Sequence, residues 1–259
     1  MSTITDLTWS AWTLLLISAT MVGFAKTAIS GAASLAVVLF ALALPAKEST
    51  ATLLPLLICG DVVALCYYRS HADWALLARL FPGVIPGVLL GAGFLAVVDD
   101  TTMRLTLAIL VLLVVVVPYL LRGKNVPMPG GLSALQPRSS SSHHSLIAVL
   151  SGCLAGFTTM TANTGGPVMT SYLISRGLSP QRMLGTTTWF FVVLNLGKLP
   201  ISTGLGLLRA PAVLLDLLLV PAMLAGGVIG ALVIHQIDQR TFERVAIGFA
   251  ALSALLLLA

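Results

Sequence analysis

Charge is scarce in this sequence. Its 259 residues include 14 Lys or Arg and 9 Asp or Glu, so 9% are charged, against about 25% in a soluble domain. Hydrophobic residues make up 58%. This imbalance excludes a soluble globular domain and predicts an all-α, multi-pass protein embedded in a lipid bilayer. Polar stretches are equally scarce. The longest, Arg122–Ser142, has the Pro, Gly and Ser content of a flexible loop. There are three cysteines, Cys59, Cys66 and Cys153. They lie in or at the ends of apolar runs without metal-ligand spacing, so they read as packing residues and not as a disulfide framework. No GxxxxGK[ST] run is present, which excludes nucleotide-driven transport. No Cys-x-x-Cys and no paired nucleophile and base appear, which argues against a membrane enzyme. The four histidines fall in loops and form no metal pair. No catalytic residue, metal site or cofactor is therefore expected. The net charge of +5 does not imply nucleic acid, because the basic residues lie mostly in short loops that orient helices. The first apolar run is not a typical signal peptide, since Met1–Thr8 carries only Asp6 as a charge.

The apolar material falls into ten segments: Trp9–Ala25, Ile29–Leu44, Thr50–Tyr68, Trp74–Val98, Met103–Leu121, Ser145–Thr161, Gly165–Ser175, Leu184–Leu208, Pro211–Ile234 and Phe242–Ala259. They group as five plus five around the linker. The expected organisation is a first transmembrane repeat over 1–121, a linker over 122–144 and a second repeat over 145–259. Landmarks recur in order. Gly23-Phe24 matches Gly156-Phe157, and Ala51-Thr52 matches Gly185-Thr186. Pro82, Gly87, Gly91 and Asp99 match Pro221, Gly226, Gly230 and Asp238 at one offset of 139. The small-xxx-small spacing of those glycines lets helix backbones approach closely in a bilayer.

Trp9–Leu44 cannot be one helix. It would be about 54 Å long, against a hydrocarbon core of about 30 Å. A break at Lys26–Ser30 is expected, with the pieces either crossing fully or returning as a hairpin. Gly165–Ser175 is too short to span, which favours a hairpin in the second half. Positive charge supports the broken form. With Lys26 and Lys198 set aside, the other twelve basic residues split nine to three across the membrane, whereas unbroken first helices give six to six. Each half then has odd parity, and the halves are expected to be inverted repeats in the cell (inner or plasma) membrane. Both termini lie outside and the linker is cytoplasmic. Inverted repeats are typical of secondary transporters, with the substrate near the midplane.

Polar residues at the breaks are the candidates for binding. Gly156–Ser171 reads G-F-T-T-M-T-A-N-T-G-G-P-V-M-T-S, with an earlier echo in Gly23–Ser34. Asn163, Thr164, Gly165 and Gly166 open a short helix whose free N–H groups and dipole suit a small oxyanion, and Thr159 adds a hydroxyl. The alternative is a capped break that only satisfies itself. Lys26 and Ser30 lie in the matching break. Lys26 reads as a substrate counter-charge or as a lysine snorkelling to the headgroups. Lys198, three residues after Asn195, is expected to snorkel, with a second anion contact or a gate as alternatives. Asp61, which aligns with Asn195, reads as the one acid deep in a span. It is expected to form a static ion pair with Lys26 or Lys198 or to sit at the interface, with proton uptake as the alternative. Thr52 and Thr186 sit where helices are expected to begin after the breaks and read first as caps.

At these residues the chain resembles the TauE/SafE family, the sulfite exporter group. The resemblance covers nearly the whole chain. It rests on G-F-T-T-M-T-A-N-T-G-G-P (Gly156–Pro167), R-G-L-S-P-Q-R-M-L-G-T (Arg176–Thr186) and G-G-V-I-G (Gly226–Gly230). The first block departs from the pattern, with Ser30-Gly31-Ala32-Ala33-Ser34 where the family usually shows several glycines. The resemblance implies export of sulfite or small organosulfonates, and its small-Thr pair brings Thr52 and Thr186 forward as cavity-lining residues. The expected partners are a small anion and the bilayer. Proton coupling and homo-oligomerisation are left open. The competing reading is a membrane scaffold or assembly partner without cargo.

Overall fold

The computed structural model of the chain describes residues 7–27, 33–122 and 141–233. Among them every regular element is helical. The first half holds α1 (Trp9–Thr27), α2 (Ala33–Ala43), α3 (Ala46–Thr52), α4 (Leu54–Tyr68), α5 (Trp74–Val97) and α6 (Asp100–Arg122). The second half holds α7 (Ser141–Ala162), α8 (Gly165–Ser175), α9 (Pro180–Gly204) and α10 (Ala210–Val233). Among the described residues four stretches are long and apolar enough to cross a membrane: Ala46–His71, Trp74–Val97, Ser145–Ala162 and Ala210–Leu232. Large apolar side chains such as Ile85, Leu90, Leu217 and Val228 are exposed, a surface suited to lipid. Ser30, most of the linker and the predicted segment Phe242–Ala259 lie outside the described residues.

The first helix of each half stops where the sequence turns polar. α1 ends at Thr27, and α2 packs back along it. The Ser18 hydroxyl donates to the Ala36 carbonyl at 2.7 Å, a contact that a straight continuation of α1 would not allow. In the second half the break is tighter. Asn163 adopts a left-handed φ of 51°, a conformation that Asn tolerates better than most residues. The Thr164 N–H donates to the Thr158 carbonyl at 3.2 Å, and α8 returns against α7. α8 has 11 residues, about 16 Å of helix, well short of a bilayer core of about 30 Å.

One predicted boundary is corrected. The segment Thr50–Tyr68 falls within the span Ala46–His71, but the helix is interrupted at Leu53: α3 ends at Thr52 and α4 starts at Leu54. Pro55 has no N–H to continue the ladder, and the Leu56 N–H bonds to the side chain of Asp216 at 3.1 Å. Thr52 therefore closes a helix and does not open one. Thr186 lies within the second turn of α9, which starts at Pro180.

The halves are joined by exchange. α1 packs on α10, α5 packs on α7, and α4 meets α9. Glycines make the two outer contacts close. A Cβ on Gly226 would collide with the Thr20 carbonyl, and one on Gly87 with the Cys153 carbonyl. Gly93, on the same helix as Gly87, faces open space. Gly87→Ala is therefore expected to destabilise by about 1–3 kcal/mol through overpacking. Gly93→Ala should be neutral or stabilising by up to about 1 kcal/mol. Unfolding of the purified protein in SDS measures both, and equal effects would contradict the close α5–α7 contact.

Candidate functional site

A buried polar cluster forms where α1, α4, α7, α8 and α9 converge. Lys26, in the last turn of α1, forms an ion pair with Asp61 of α4. The other Asp61 oxygen accepts from Asn195 Nδ2 of α9 at 2.7 Å. Asp61 and Asn195 are the residues that align between the halves, and here they touch. Lys26 Nζ also lies 5.1 Å from the centroid of the Phe191 ring, a cation–π distance. The charge of Lys26 is thus compensated by a carboxylate and an aromatic face.

Lys198 sits one turn from Asn195 on α9 and is only 2% exposed. The expectation that it snorkels is corrected: its chain points into the protein. Nζ donates to the Thr159 carbonyl at 2.8 Å and to Asn163 Oδ1. Both acceptors are neutral. Asn163 is in turn fixed by its own amide, whose Nδ2 donates to the Thr50 carbonyl at 2.9 Å. The left-handed turn at Asn163 thus aims one side chain at a buried ammonium and at α3 together.

The start of α8 lies beside these groups. Gly165 and Gly166 are buried, and a Cβ on Gly165 would overlap the Thr159 hydroxyl. That hydroxyl is buried without a hydrogen-bond partner, as is Asn195 Oδ1. The first N–H groups of a helix have no intrahelical acceptor. The cluster therefore joins a cation, a helix N-terminus and two unsatisfied polar atoms. Buried polar groups are normally paired, so these two atoms stand out as hydrogen-bonding capacity that the described residues leave unused.

Not every predicted residue joins this cluster. Thr164 is buried beside it, its hydroxyl 3.5 Å from the Thr158 carbonyl. Thr52 is buried at the α3–α4 break with its hydroxyl unpartnered. Thr186 is engaged elsewhere: its hydroxyl donates to the Arg182 carbonyl at 2.6 Å and accepts from the Asp73 N–H at 2.9 Å. That contact belongs to a clasp joining the α4–α5 connection to the start of α9. Arg182 pairs with Asp73 at 2.8 Å, and Trp189 Nε1 donates to the Arg69 carbonyl at 3.1 Å.

Asp61 is not the one deep acid. Asp216 of α10 is also 1% exposed; its sequence signal is an Asp inside the apolar run Pro211–Ile234. Among the described residues no group of three or more His, Cys, Asp or Glu could hold a metal ion.

No curated protein and no solved structure matches the chain. A family model described as Sulfite exporter TauE/SafE matches residues 15–257, a stretch that contains every residue of the cluster. The chain belongs to the sulfite exporter TauE/SafE family.

Proposed function

We propose that this chain is a secondary transporter that exports a small anion, sulfite or a related sulfur oxyanion or organosulfonate, through a site between two inverted repeats. The family's description supports the cargo class. The exchanged packing of α1 on α10 and α5 on α7 supports the repeats, as does the nine-to-three charge split. The carrying observation is Lys198, a buried amine whose hydrogen bonds among the described residues go to the neutral oxygens of Thr159 and Asn163. Lys26 already has a carboxylate in Asp61, so Lys198 is the cation in need of an anion. The Thr159 hydroxyl and the first N–H groups of α8 complete a cradle for oxyanion oxygens. Lys198 is buried, 2% exposed, which fits an occluded stage of alternating access. The Asp73–Arg182 and Trp189–Arg69 contacts supply a latch on the face that the charge rule makes cytoplasmic.

Sulfite efflux from proteoliposomes tests this. The wild-type protein should carry sulfite, and Asn163→Leu should lower flux about tenfold or more. The substitution removes both the acceptor for Lys198 and the donor to Thr50, each a hydrogen bond worth about 1–3 kcal/mol when its partner is left unsatisfied. Wild-type flux from the Asn163→Leu protein would remove the site from these residues. A scaffold without cargo should show no flux in either form.

A further inference from the structure

Asp216 has no role in the site described above, yet it is as buried as Asp61. It lies among Leu53, Leu56, Leu57, Leu215 and Leu219 of one apolar core. One oxygen accepts from the Leu56 N–H at 3.1 Å, and the other, Oδ1, has no partner. Among the described residues the main elements packed on α10 are α1, α3 and α4. Their ionisable groups are Lys26 and Asp61, bound to each other, Lys47, which donates to the Val98 carbonyl, Glu48, the Cys59 thiol, and Cys66, Tyr67 and Tyr68 at the far end of α4. Among the described residues none forms an ion pair with Asp216. Asp61 has both a cation and an amide; Asp216 has one backbone N–H. A buried carboxylate so poorly compensated is costly. A second atom at the same break is also unsatisfied, the Thr52 hydroxyl, one helical turn before Leu56 and 1% exposed as a residue.

We propose that Asp216 is a proton-binding site, separate from the Lys26–Asp61 pair, whose proton holds the α3–α4 break against α10. With the O–H on Oδ1, the carboxyl is neutral and Oδ2 still accepts from Leu56. Loss of that proton to water leaves a carboxylate that must draw water into the gap beside Thr52, which loosens the break. The same short segment reaches the anion cluster, because the Thr50 carbonyl accepts from Asn163. Proton occupancy at Asp216 therefore biases the position of Asn163, and an anion there biases proton affinity in return. This last link rests on the transport reading; the proton site itself does not.

The test uses the full-length protein in detergent, without any anion substrate. Infrared spectra should show a protonated-carboxyl band that disappears as pH is raised. The band should be absent from Asp216→Asn and retained by Asp61→Asn. Asn mimics the protonated acid, because its carbonyl can accept from Leu56 while its NH2 takes the place of the O–H, so this variant keeps the latch. Hydrogen exchange of the peptide spanning residues 50–57 supplies a second readout. Compared with Asp216→Asn at the same pH, the wild-type peptide should exchange about tenfold faster once the band is lost, and at the same rate before. A band that survives in Asp216→Asn but not in Asp61→Asn places the proton on Asp61 and overturns the proposal. An exchange ratio that does not change with pH overturns the latch.

Discussion

Lys198→Met is expected to lower sulfite flux about 10- to 150-fold. A hydrogen bond to a charged group contributes about 1.5–3 kcal/mol, and each 1.4 kcal/mol is a factor of ten in affinity. The ammonium is 2% exposed, so little water screens it from a bound anion. The variant also strips a donor from the Thr159 carbonyl and Asn163 Oδ1, which carries its own stability cost. Lys198→Gln separates these effects. It keeps a donor near the same oxygens and removes only the charge, so its fold should suffer less than that of Lys198→Met while its flux falls comparably. Folded yield by size-exclusion chromatography and initial efflux rates give the two readouts. Near-normal flux in Lys198→Gln would show that the cation is not the anion's partner, whatever happens to Lys198→Met.

The second large effect concerns stability. Asp61→Ala should destabilise the protein by about 3–5 kcal/mol, the range for removing one member of a buried ion pair. Lys26 would keep its charge with its side chain only 15% exposed, and Asn195 would lose its acceptor. Removing both charges is a different matter. Replacing a whole buried pair with apolar groups is often neutral or stabilising. The double variant Lys26→Met/Asp61→Leu should therefore fall within about 2 kcal/mol of wild type, the residual loss being the unpaired Asn195 amide. Reversible unfolding in SDS of Lys26→Met, Asp61→Leu and the double variant closes a thermodynamic cycle. With each single loss about 3–5 kcal/mol and the double near wild type, the coupling energy should be about 4 kcal/mol or more, above the range of about 0.5–3 kcal/mol common for neighbouring residues. Equal losses in Asp61→Ala and the double variant would mean that Lys26 is not stranded by loss of the acid, and the pair would then not be what joins α1 to α4.

These two lysines show why local polarity was an incomplete guide. Both stand in apolar runs, where snorkelling competes with a buried role. Chain length and hydropathy cannot separate a lysine at a helix end from one turned inward. The answer depends on what lies opposite, and for Lys26 that is Asp61, 35 residues away along the chain. The same holds for Thr186, whose place in a small-Thr pair suggested a cavity wall but whose hydroxyl is held by Asp73, 113 residues away.

The sequence alone determined the membrane class, the helical breaks near Lys26 and Asn163, and the shortness of α8. Each of these follows from local quantities: the scarcity of charge, the length of an apolar run against a bilayer, and Gly, Pro and Asn at a helix start. Tertiary structure alone decided that Lys198 points inward onto Asn163 and Thr159, that Asp61 binds Lys26 and Asn195 together, and that Asp216 caps Leu56 across 160 residues. The physical reason is that lipid makes every polar group costly wherever it lies in the chain. Composition therefore reveals which groups need partners, and only packing between distant helices reveals which partners they find.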